Sequence, residues 1–159
     1  MLIADSAPAL VLDDAAVLAQ MLAADQGEVE LADYPLARPM HFTSGTSGRS
    51  KGVWTGIHDE ASARSMWLDE IEPWELSPDD VILTHGPLAH SAPIRFGIAT
   101  LLAGGRVLLP GWYDARVTAR ALVESRPTVA FAVPSHLQRL FALPEGAPDS
   151  PYRLLIHAG

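Results

Sequence analysis

Apolar positions recur at helical spacing through residues 15–24, and Gly27 is placed to stop that helix. The pattern then becomes acidic and irregular over residues 26–39, which predicts a loop. Residues 40–43, Met-His-Phe-Thr, predict a short strand running into a polar, glycine-rich stretch. A helix is predicted over 57–71, a turn at 77–80 and an apolar strand over 81–84. Beyond a loop at 87–93, an apolar helix over 94–103 is broken by Gly104-Gly105. A strand is predicted over 106–109. A helix follows over 115–125, with Asp114 as its N-cap. The remaining elements are a strand over 128–133, a helix to residue 143 capped by Ser135, and a strand over 153–157.

From Val81 onward, short apolar strands thus alternate with helices. That order predicts an α/β fold with a mostly parallel sheet flanked by helices. Ligands of such sheets bind at the carboxyl ends of the strands. The loops after Thr43, Thr84 and His157 are therefore the candidate sites.

Composition narrows the function classes. The chain has 159 residues, 48% of them hydrophobic, and a positive mean hydropathy, enough for a core and unlike a disordered chain. It has no cysteine, which excludes a disulfide scaffold, a thiolate metal site and a cysteine nucleophile, and which fits a reducing cytoplasm. The net charge is −8, and residues 1–37 carry no Lys or Arg. An acidic surface disfavours nucleic acid and anionic lipid as partners. No apolar run is long enough to span a bilayer, and the start of the chain lacks the basic region of a signal peptide. The expected location is the cytoplasm.

The chemistry concentrates in residues 43–52, Thr-Ser-Gly-Thr-Ser-Gly-Arg-Ser-Lys-Gly. Three glycines let a phosphate approach the backbone closely. Thr43, Ser44, Thr46, Ser47 and Ser50 supply hydroxyl donors, and Lys51, the only lysine in the chain, supplies a positive charge. The bland alternative is a polar turn between a strand and a helix. The spacing fits neither a Walker loop nor the dinucleotide fingerprint.

This stretch closely resembles the phosphate loop of the adenylate-forming superfamily, which contains acyl-CoA synthetases, luciferases and the adenylation domains of peptide synthetases. The usual form has Thr where Ser47 stands and Pro where Ser50 stands. Residues 87–93, Pro-Leu-Ala-His-Ser-Ala-Pro, resemble the family's next motif, whose His borders the acyl pocket. An aromatic is common there at the position of Ala89. Residues 103–107, 126–129 and 133–135 also look like family patterns. The His-Ser-Ala-Pro form is more similar to acyl-CoA synthetases than to amino-acid-activating domains.

The resemblance implies a two-step ligation. A carboxylate attacks the α-phosphate of ATP, giving acyl-AMP and pyrophosphate, and the thiol of CoA then displaces AMP. It implies that Thr43, Ser44, Gly45, Thr46, Ser47, Gly48 and Lys51 bind the phosphates. Lys51 and His90 would be the catalytic residues. ATP, Mg²⁺ and CoA are the implied cofactors and co-substrate, and the implied partner is a small carboxylic acid, expected to be fatty acyl.

The resemblance covers residues 35–159, so residues 1–36 read as an acidic leader and 37–159 as a partial N-terminal core of the AMP-binding domain. The family's adenine-contacting Tyr-Gly-x-Thr-Glu segment, its Mg²⁺-holding acid and its C-terminal domain with a catalytic lysine have no match here. The isolated chain is therefore expected not to form acyl-AMP. A non-catalytic phosphate-binding module and a non-binding remnant remain as alternatives, and a separate polypeptide supplying the missing half stays open.

Other clusters weigh less. His85 and His90 near Asp79 and Asp80 lack a third ligand at metal spacing, so no metal site is expected. Trp54, Trp67, Trp74 and Trp112 read as packing residues. Glu70, Glu72 and Glu75, and likewise Arg116 and Arg120, read as solvated faces. No Gly-x-Ser-x-Gly elbow surrounds any serine.

Overall fold

A computed structural model describes residues 11–24, 27, 30–43, 51–86, 88 and 90–158, in two units comprising residues 1–60 and 61–159. In the first unit, α1 (Ala15–Ala23) begins at Asp14, whose carboxylate accepts from the Ala16 amide at 2.7 Å. Strands β1 (His41–Thr43) and β2 (Lys51–Val53) pair antiparallel. The second strand is a departure from the sequence reading, which left Lys51 and Gly52 in a loop. The helix expected from residue 57 starts three residues later. Gly56 holds φ at +86°, and the His58 amide donates to the Leu36 carbonyl at 2.8 Å, outside any helical ladder.

The second unit is built around a four-stranded parallel sheet. Its elements are α2 (Glu60–Ile71, its first residue closing the other unit), β3 (Val81–Thr84), α3 (Ser91–Leu102), β4 (Arg106–Leu108), α4 (Ala115–Glu124), β5 (Val129–Ala132), α5 (Pro134–Phe141) and β6 (Leu154–His157). The strand order is β4-β3-β5-β6. All four residues of β3 are buried, as a central parallel strand requires, whereas the outer β6 keeps Leu155 and His157 exposed. Trp67, Ile82, Leu83, Ala99, Leu122 and Val129 form the core.

Two helices start earlier than the apolar pattern predicts. Helix α3 begins at Ser91 and takes Pro93 into its first turn, and α5 begins at Pro134 with Val133 as its cap. Proline is tolerated there because a first-turn amide has no helical partner. Ser135 accordingly lies inside the first turn of α5 and is not its cap. Asp114 does cap α4, accepting from the Val117 amide at 2.9 Å.

The amino ends of the strands are tied together by one carboxylate. Asp80, just before β3, accepts from the Thr128 hydroxyl at 2.6 Å, the Ser77 amide at 3.0 Å and the Arg153 Nε at 2.8 Å. Arg153 also donates to the carbonyls of Trp74 and Glu75. The Arg153 hydrogen bond chiefly holds the Asp80 carboxyl well below the usual carboxylate range, against the opposing effect of burial. Gly105 crosses the same end, where an added Cβ would meet the Asp80 carbonyl at 2.7 Å. Glu70 is buried and ion-paired with Arg95, a correction to its reading as a solvated residue. Trp67 is packed as expected, but Trp54 and Trp112 are exposed.

Candidate functional site

The hairpin of the first unit holds both ends of the predicted phosphate loop. Thr43 closes β1, Lys51 opens β2, and the two are register partners. The Thr43 hydroxyl donates to the Lys51 carbonyl at 3.5 Å. Gly52 lies under Met40, whose sulfur would be 2.9 Å from an added Cβ. Lys51 is exposed. Ser44, Gly45, Thr46, Ser47 and Gly48 lie outside the described residues, so what the structure gives is the frame on either side of them. Antiparallel pairing brings Thr43 and Lys51 to within about 4.5–5.5 Å between Cα atoms. The elements that flank the stretch between them are two strands, where the sequence suggested a strand and a helix.

In the second unit, the carboxyl ends of β3, β4 and β5 surround a cavity of about 420 Å³. His85 follows β3, Trp112 and Tyr113 follow β4, Phe131 lies on β5, and His136 sits in the first turn of α5. The Gly86 amide donates to the Gly111 carbonyl at 3.1 Å and joins the first two loops. His90 borders the cavity as the exposed residue that precedes α3, with φ −84° and ψ 143°.

The polar groups of this cavity are ordered by a short network. The Thr118 hydroxyl donates to the Asp114 carbonyl at 2.7 Å, so at 3.2 Å from His85 Nε2 it is an acceptor. That assigns the proton of His85 to Nε2. His85 Nδ1 then carries a lone pair, and it is buried with no partner among the described residues. Burial, and secondarily His136, push the His85 pKa down to about 4. Tyr113 stacks on His136 with centroids 4.0 Å apart and planes 2° off parallel, and its hydroxyl donates to the His136 carbonyl. His85 meets Tyr113 edge-on at 5.1 Å. His136 Nδ1 is also buried without a partner among the described residues, and burial lowers the pKa of that ring.

The structure therefore places Thr43 and Lys51 opposite each other in one unit and His90 on a cavity in the other. Among the described residues no group of three or more His, Asp or Glu side chains could hold a metal ion. Asp80 faces Arg153 and His85 faces Thr118. Sequence reasoning missed Tyr113 and His136. The signal was available, since both follow strands whose carboxyl ends are the binding edge of a parallel sheet.

A family model described as AMP-binding enzyme matches residues 4–157. The chain is 34% identical over 104 residues to an indoleacetate–CoA ligase of Aromatoleum aromaticum, covering 65% of this chain and 20% of that protein. It is 33% identical over 104 residues to a medium/long-chain-fatty-acid–CoA ligase of Mycobacterium tuberculosis, covering 65% and 18%. The inhibitor-bound N-terminal domain of FACL13 from Mycobacterium tuberculosis superposes with TM-score 0.68 at 28% identity, covering 91% of this chain and 37% of that one. ATP-bound MatB from Rhodopseudomonas palustris superposes with TM-score 0.57 at 31% identity, covering 76% and 24%. The chain thus spans about a fifth of the length of the curated relatives it matches.

Proposed function

The chain belongs to the AMP-binding enzyme family, and from that premise we propose that it carries the ATP phosphate loop and part of the acyl pocket of an acid–thiol ligase. The observation that carries the reading is the β1–β2 hairpin, which brackets the hydroxyl- and glycine-rich loop with Thr43 on one side and Lys51 on the other. The reaction is carboxylate plus ATP to acyl-AMP and pyrophosphate, followed by transfer of the acyl group to CoA.

In this reading Lys51, Thr43, Ser44, Thr46 and Ser47 donate to the triphosphate, and Gly45 and Gly48 let its oxygens reach backbone N–H groups. Two like unit charges about 4 Å apart repel by about 4 kcal/mol at an effective dielectric of 20. A lysine and oriented donors offset that repulsion and stabilise the departing pyrophosphate. His90 borders the acyl group. The described residues offer Mg²⁺ no ligand cluster of their own, so no step is assigned through it. A Mg²⁺ ion would ride on the phosphates, as it commonly does at nucleotide sites.

The substrate is a carboxylic acid. The names of relatives span indoleacetate, ferulate and medium- or long-chain fatty acids, so the fatty-acyl expectation is one of several that fit. The absence of cysteine supports a cytoplasmic setting. The test is acid-dependent exchange of labelled pyrophosphate into ATP, using the native polypeptide isolated from its source. Lys51→Ala is expected to lower the rate roughly tenfold to a hundredfold, matching the loss of about 1.5–3 kcal/mol for a charge-assisted bond. An unchanged rate contradicts the assignment. These 159 residues assayed alone are expected to give no exchange.

A further inference from the structure

The β1–β2 hairpin has two unlike faces. Residues that pair across an antiparallel ladder share a face, and successive residues alternate between faces. The register pairs His41 with Val53, Phe42 with Gly52 and Thr43 with Lys51. His41, Thr43, Lys51 and Val53 therefore lie on one face, and Phe42 and Gly52 on the other. The packing agrees with that division. A Cβ added at Gly52 would lie 2.9 Å from the Met40 sulfur and 3.4 Å from the Phe42 ring, so both apolar side chains lie over Gly52. The opposite face keeps an imidazole, a hydroxyl, an ammonium group and one valine.

His41 stands diagonally across the ladder from Lys51. Such neighbours are about 7–8 Å apart, within reach of long and aromatic side chains. His41 is half-buried and Lys51 is exposed. Among the described residues the His41 ring has no hydrogen bond, ion pair or ring contact. It is thus uncommitted beside the two groups to which phosphate binding is assigned above. A triphosphate set against Thr43 and Lys51 presents several negative oxygens to this face, and Lys51 is the only lysine of the chain. Residues 1–37 carry no Lys or Arg to assist it. An imidazole donates one hydrogen bond when neutral and two when protonated. None of the four residues on this face is a carboxylate that would compete for those donors.

Resting on the ligase reading above, we propose that His41 is a further phosphate-holding residue, its imidazole donating to the same triphosphate that Thr43 and Lys51 meet. The test is acylation of Lys51 in the native chain, in His41→Leu and in His41→Arg, titrated with ATP and with inorganic triphosphate. Neither variant adds a lysine, so the label still reports on one position. His41→Leu is expected to raise the half-protecting concentration of both anions about tenfold, the loss of one charge-assisted hydrogen bond. His41→Arg returns a cationic donor to the same face and is expected to bring that concentration back close to the native value. A half-protecting concentration in His41→Leu equal to the native one overturns the proposal and leaves the ligase reading standing. So does a loss in His41→Arg as large as in His41→Leu, or a shift confined to ATP. No protection of the native chain by either anion overturns both.

Discussion

A single buried carboxylate organises one edge of the sheet, and a single buried imidazole the other. Asp80 collects donors from Ser77, Thr128 and Arg153. Arg153→Ala leaves that carboxylate buried and without its cation. Because Arg153 is 38% exposed, a loss of about 3 kcal/mol is expected, the low end for a broken buried pair, and urea unfolding measures it. His85 makes stability depend on pH in a defined window. The unfolded ring takes up a proton near its ordinary 6.5, and the folded ring only near 4. Between those values the unfolded chain binds more protons, so stability falls as pH drops from about 6.5 to 4. The urea midpoint followed through that window is expected to decline in the native chain and to flatten in His85→Phe. An equal slope in both would remove His85 as the source.

At the scale of elements, the periodic helices were legible and their first turns were not. Asp114 was recognisable as a cap because a short acceptor stands directly before an apolar-periodic run. Asp114→Ala is expected to cost about 1 kcal/mol, read as a lowered melting temperature. Helices α3 and α5 were misjudged for one reason, since Pro93 and Pro134 look like breakers in a sequence but occupy first-turn positions in the fold. Strand β2 escaped notice because Lys-Gly-Val is short and lies against the glycine-rich loop. It becomes a strand through its pairing with His41, Phe42 and Thr43. Glu70 looked like surface because its partner Arg95 lies twenty-five residues away.

For the whole molecule, the α/β class and the parallel sheet followed from the order of the elements. The hydroxyl- and glycine-rich stretch proposed to hold phosphates is a contiguous motif that the sequence displays directly, and the cavity is not. Its walls come from five separate elements and the loops that follow them, and no local pattern couples His85 to Tyr113 or His136 before the strands are laid side by side. The central claim rests on the contiguous motif. Lys51 is the only lysine of the chain, so acylation of its ε-amine, read in the peptide that contains it, reports on one position without ambiguity. The decisive measurement is that labelling with and without ATP. Protection that rises with ATP and saturates is the predicted result, and labelling unchanged at millimolar ATP would contradict the account.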